Sequence, residues 1–214
     1  MHRGNRQSSL FSVALIVGLI LGTNTAPVSA AETITLSMAD DYDSGYSRSL
    51  FRHWIDADKN GCNTRYEVLI AEATTKPRVG AKCFLSGGKW KSPYDGKVFT
   101  NPTGLDIDHM VPLAEAWRSG AWSWTSAQRM DFANDLEASE TLVAVTASLN
   151  RSKGDRDVAN WLPPRSQCKY IANWISVKWR FDLTVDPNET AFLRTKITEC
   201  NITNVVIQEV TIMN

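Results

Sequence analysis

The spacing of apolar residues changes several times along the chain, and each change marks an element. Alternation in Ile34-Thr-Leu-Ser-Met38 predicts a strand, and Ser47-Arg-Ser-Leu-Phe-Arg-His-Trp54 predicts a helix capped by Ser47. Tyr66-Glu-Val-Leu-Ile-Ala-Glu-Ala73 has helical spacing. Ala81 to Lys91 predicts a hairpin turning at Gly87-Gly88, and Ser92 to Lys97 a second turn leading through Val98-Phe99 to the next strand. That strand is Leu105-Asp-Ile-Asp-His109, where alternation puts Asp106 and Asp108 on one face and Ile107 on the other. Pro112 suits the first turn of a helix through Leu113-Ala-Glu-Ala-Trp117.

Further on, residues 125–136 predict a helix capped by Thr125 or Ser126, with Met130, Ala133 and Leu136 along its buried side. Thr141-Leu-Val-Ala-Val145 predicts a strand, followed by a short helix or turn over Ala147 to Lys153 that Gly154 closes. The apolar stripe Ile171, Trp174, Ile175 and Val177 predicts a core helix over residues 169–179. Asp186-Pro opens a last helix ending near Cys200, and Val205 to Ile212 has strand character. The mixture implies an α+β fold in a single helix-rich domain.

Composition adds an address. Arg3 and Arg6, the apolar run Leu10 to Leu21 and the box Val28-Ser-Ala30 form an export signal over residues 1–30, leaving residues 31–214 as the secreted domain. No other run is apolar enough to span a membrane. Loss of the two leader arginines takes the 23 Lys and Arg to 21, against 23 Asp and Glu. That balance argues against a general cationic scaffold for nucleic acid, so binding has to come from a local patch and a metal. Cys62, Cys83, Cys168 and Cys200 are an even set in an exported chain and favour two disulfides. Three pairings are possible; Cys62 with Cys83 and Cys168 with Cys200 is preferred, because each pair brackets one local unit.

Candidate chemistry gathers where the Asp106 strand ends. Asp108 and His109 are adjacent there, and hydrolysis of a phosphodiester needs a base for water together with charge neutralisation at the phosphate. The set Asp108-His-x-Val-Pro-Leu-Ala-Glu-Ala-Trp117, Phe132-Ala-Asn-Asp-Leu136, Leu142-Val-Ala-Val145, Asn150-Arg-Ser-Lys-Gly-Asp155 and Trp161-Leu-Pro-Pro164 resembles the secreted branch of the HNH endonucleases, in the ββα-metal (His-Me finger) superfamily. The resemblance implies an HNH core, His109 as general base, and Asp108 and Asn150 as ligands of Mg²⁺ or another divalent metal. It further implies Lys153 or Arg151 at a phosphate, and DNA or RNA as substrate. No obligate protein partner is evident. Where the family often has an Asn to orient the base, this chain has Thr141. The Thr141 hydroxyl, a backbone carbonyl or Asp106 is left to hold the imidazole.

A second motif precedes that region. Asp56, Asp58, Asn60, Gly61 and Glu67 match the acidic, glycine and closing positions of an EF-hand loop, which raises Ca²⁺ as a cofactor. Asn63 stands where such loops place an aliphatic residue, and capping or turn formation explains the same residues. In the resembled family Asn63-Thr-Arg65 with Glu67 belongs to the nuclease domain, which makes Arg65 a candidate phosphate contact. Lys82, Lys89, Lys91 and Lys97, interleaved with Trp90 and Tyr94, are read either as a strand-binding surface or as solvated hairpin faces over buried aromatics. The rival to catalysis is a calcium-stabilised surface binding module that kept the fold and lost the reaction.

Overall fold

A computed structural model of the protein describes residues 33–209; the export signal lies outside them. Six α-helices and four two-stranded sheets make up a mixed α/β architecture among the described residues. None of these helices is long and apolar enough to cross a membrane.

The central ribbon is antiparallel. Strand β6 (Leu105–His109) pairs with β7 (Leu142–Thr146), with Asp106 opposite Val145 and Asp108 opposite Val143. Period-two alternation gives the ribbon two different faces. Leu105, Ile107, Leu142 and Ala144 pack on helix α1 (Thr64–Glu72) through Val68 and Leu69, together with Trp90 and the Cys62–Cys83 disulfide. Val143 and Val145 point instead into the larger core, built on Met110, Val111, Phe132 and the buried side of helix α5 (Gln167–Arg180). Asp106 and Asp108 share that second face, so Asp108 is only 4 % exposed.

Helix α2 (Leu113–Arg118) follows β6, with Pro112 as its cap residue. Helix α4 (Ala147–Lys153) follows β7 directly and stops at Gly154, whose φ of 62° allows the reversal. Helix α3 (Ser126–Ala133) starts with a reciprocal Thr125–Gln128 capping box. Its buried side is Arg129, Phe132 and Ala133. Leu136, expected on that side, lies beyond the helix end and is half exposed, because the helix stops at Asn134.

Helix α6 (Pro187–Glu199) is capped by the Asp186 carboxylate, and Cys200 at its end bonds Cys168 on α5. Both preferred disulfides are therefore present. Strand β1 (Ile34–Met38) pairs in parallel with the C-terminal strand β8 (Val205–Glu209).

Two expectations fail. The predicted helix over residues 47–54 is only a single 3-10 turn, Arg48–Leu50. The Ser47 hydroxyl is hydrogen-bonded to that of Ser49 at 2.8 Å and accepts from no backbone N–H, and Trp54 has a φ of 59°. The hairpin turning at Gly87-Gly88 does not form either. Strand β2 (Arg78–Val79) pairs with β3 (Leu85–Ser86), and β4 (Trp90–Lys91) pairs across the Ser92–Lys97 turn with β5 (Val98–Phe99). Gly87 and Gly88, with φ of 69° and 90°, join two separate hairpins. Trp90 and Tyr94 are 1 % and 2 % exposed, so that segment offers no stacking surface through them.

Candidate active site

At the end of β6 the chain turns into α2, and α4 lies along the same strand. A cleft of about 260 Å³ opens there, lined by Tyr46, Arg48, Asp108, His109, Asn150 and Arg151 among others. Segments forty residues apart in sequence thus contribute a carboxylate, an imidazole and a carboxamide to one wall.

The imidazole of His109 is 5 % exposed. Its Nε2 lies 3.0 Å from the carbonyl of Ala133 at the end of α3, and that carbonyl can only accept, so the proton sits on Nε2. Nδ1 is left with its lone pair and has no partner among the described residues. Burial pushes the ring down to about 3, against the raising effect of the carbonyl, while the positive charge of Arg48 adds to the lowering. The ring is packed by Trp54 at 5.6 Å, His53 at 6.5 Å and Phe132 at 6.3 Å between centroids. Of the three groups expected to orient it, the backbone carbonyl is the one in contact. The Thr141 hydroxyl donates instead to Asp135 at 2.7 Å, and Asp106 meets Asn150 Nδ2 at 3.3 Å and Arg151 at 3.5 Å.

Asp108 belongs to a buried network. Its Oδ2 takes the Lys153 ammonium at 2.6 Å and the Tyr94 hydroxyl. Lys153 has no exposed surface and also donates to the carbonyls of His109 and Met110, each at 2.8 Å. Burial raises Asp108, with Lys153 opposing, and lowers Lys153, with Asp108 opposing. A phosphate contact for Lys153 is therefore excluded by geometry: its three donors are committed inside. Arg65 gives one guanidinium N–H to the carbonyl of Leu105 at 2.8 Å and is not among the residues lining the cleft. Arg151 keeps 76 % of its side chain exposed at the cleft, with Asp106 3.5 Å away.

The donor chemistry suits a hard cation. Asp108 Oδ1 and Asn150 Oδ1 accept no hydrogen bond from the described residues, and both residues line the cleft. Two protein oxygens suffice for Mg²⁺, which retains several waters. No three His, Cys, Asp or Glu side chains among the described residues form a cage of their own.

The Asp56–Glu67 loop closes on itself. Asn60 Nδ2 donates to Asp58 at 2.9 Å and to Glu67 at 2.8 Å, and the N–H of Gly61 donates to Asp56 at 3.0 Å. Asn63 then caps α1. Helix follows the loop but does not precede it, so one flank of the predicted motif is missing. Asn134 ties the same region to α3 by accepting from Ile55 N–H and the Thr64 hydroxyl and donating to Arg52.

Two participants were not singled out by the sequence: Tyr94 was visible only as one aromatic among lysines, and Arg48 was hidden within a predicted helix. The expected carbonyl could not be assigned to Ala133 beforehand, because a main-chain group has no sequence signature.

A family model described as the C-terminal domain of GmrSD restriction endonucleases matches residues 63–196, which include β6, β7 and α4. An uncharacterized secreted protein of Arthroderma benhamiae is 44% identical over 158 residues, covering 73% of this chain and 76% of that protein. No solved structure matches.

Proposed function

This chain belongs to the family described as the C-terminal domain of GmrSD restriction endonucleases, and from that premise we propose that it is a metal-dependent endonuclease hydrolysing phosphodiester bonds in DNA, with RNA as the alternative polymer. The protein is secreted: its relative carries that description, and both cysteine pairs close as disulfides, which persist in oxidising compartments.

One observation carries the proposal. His109 is a neutral imidazole anchored through Nε2 to a main-chain carbonyl, at the wall of a cleft it shares with Asp108 and Asn150. In the reaction Nδ1 takes a proton from water as the oxygen attacks phosphorus, and the 3′ or 5′ oxygen leaves. Asp108 Oδ1 and Asn150 Oδ1 would hold a divalent cation, which supplies positive charge against the phosphate. Arg151 neutralises a neighbouring phosphate oxygen. The β6–β7 ribbon followed by α4 supports the ββα-metal reading of the core.

The test is plasmid nicking by the mature protein in Mg²⁺, with His109→Ala beside it. Loss of a general base typically costs about 10²–10⁴-fold in rate, and that loss is the expected result. Absence of nicking by the wild-type protein with any divalent metal would overturn the proposal and favour the inactive binding module. For the Asp56–Glu67 loop the proposal is calcium binding, supported by the approach of Asp58 and Glu67 to one shared donor, Asn60.

A further inference from the structure

Two exposed guanidinium groups share the cleft with His109, and they come from distant parts of the chain. Arg151 lies on α4, and its one carboxylate, Asp106, is 3.5 Å away with the arginine side chain 76 % exposed. An ion pair so exposed contributes little and yields readily to a better anion. Arg48 lies on the 3-10 turn Arg48–Leu50, is exposed, and forms no ion pair among the described residues.

The remaining charges in the cleft do not cancel this pair. Asp108 is already matched by Lys153 at 2.6 Å, and Asp155 is 71 % exposed and leans toward Arg118, 3.8 Å away. A chain with no net positive charge must concentrate its affinity for a polyanion somewhere. Guanidinium forks suit phosphate because two parallel N–H donors match two of its oxygens.

We infer that Arg48 and Arg151 form a two-arginine clamp that grips phosphates flanking the one at His109, so that the cleft selects chain-internal phosphodiesters over small phosphate esters. The inference rests on the nuclease reading of this cleft and deepens it by adding Arg48 as a second phosphate contact and giving the pair a selective role. A lone phosphate ester occupies the reacting position and leaves the clamp empty. A polynucleotide fills both.

The experiment measures binding without turnover. A fluorescein-labelled oligothymidylate strand is titrated into the His109→Ala protein across a KCl series, and into the same protein carrying Arg48→Ala, Arg151→Ala, both, or Arg48→Lys. Each lost phosphate contact on a single strand lowers the magnitude of the slope of log affinity against log salt by about 0.7. The expected result is a fall of about that size for each alanine variant, about twice that for the pair, and none for Arg48→Lys. Unchanged slopes in both alanine variants, with unaltered thermal unfolding, would overturn the clamp even if plasmid nicking by the wild-type protein stands. Slopes that fall while the wild-type protein never nicks would sink the cleavage reading and leave the clamp as a binding device.

Discussion

Replacing Lys153 by Met tests the buried network beneath the cleft more sharply than any exposed substitution. The ammonium is wholly buried, 2.6 Å from Asp108 Oδ2 and 2.8 Å from the carbonyls of His109 and Met110. Methionine fills similar volume but leaves a buried carboxylate with only the Tyr94 hydroxyl, and two carbonyls with no donor. Breaking a buried pair from one side costs about 3–5 kcal/mol. The lower end applies here, because burial already pushes the Asp108 carboxyl toward its protonated form, which relieves part of the cost. For a chain of this size each kcal/mol moves the melting temperature by about 2–4 °C, so Lys153→Met should melt at least about 6 °C below wild type. Adding Asp108→Asn removes the stranded charge, and the double variant should recover about 2 kcal/mol relative to additivity. Denaturant midpoints at pH 7 for the four proteins complete the cycle. A Lys153→Met protein that melts within about 2 °C of wild type, yet binds DNA weakly, would refute this assignment and restore Lys153 as a phosphate ligand.

Glu72 provides a pH test away from the cleft. Burial raises its carboxyl to about 7, against the hydrogen bond from Ala144 N–H. The folded protein therefore holds a proton that the unfolded chain releases near pH 4.5, and stability falls as pH rises from there to about 7. Glu72→Gln should flatten that fall, by about 3 kcal/mol at pH 8 in urea titrations; parallel curves would dismiss the idea. Opening the Cys168–Cys200 link, which closes a separation of 32 residues, should cost about 3–4 kcal/mol by Cys→Ser substitution and calorimetry. Calorimetric titration with Ca²⁺ should show heat that Asp56→Ala and Glu67→Ala abolish, and equal affinity in all three proteins would end the calcium reading.

The regular elements were legible because their periods are short and local. Alternation in Leu105 to His109 and the apolar stripe of α5 each specify a face without outside help. The stretch from Ser47 to Trp54 was not legible, since Phe51 is wholly buried among Tyr46, Trp117 and Phe132 and that packing overrides helical spacing. Lys153 shows a subtler limit. The resemblance puts Lys153, three residues after Asn150, at a phosphate, but three steps of an α-helix fall about 60° short of a full turn. That offset is enough to keep Asn150 in the cleft while the Lys153 stem runs inward to the β6 end.

Thr141 stands where the resembled family often has an orienting Asn, a departure that favours an inactive binding module over a nuclease. The structure removes the force of that departure. The Ala133 carbonyl meets Nε2, and Lys153 ties down the carbonyls of His109 and Met110 on either side of the strand end. Ring orientation thus depends on main-chain groups, which no side-chain comparison along a sequence can register. Thr141, wholly buried, hydrogen-bonds Asp135, which in turn pairs with Arg180 of α5 at 2.9 Å. Its work is to fix α5 against the loop before β7. A hydroxyl removed there, as in Thr141→Val, should lower stability by about 1 kcal/mol and leave the His109 contact to Ala133 in place. Nicking that survives in Thr141→Val and dies in His109→Ala would separate the two roles; loss of nicking in a well-folded Thr141→Val protein would return Thr141 to the catalytic machinery.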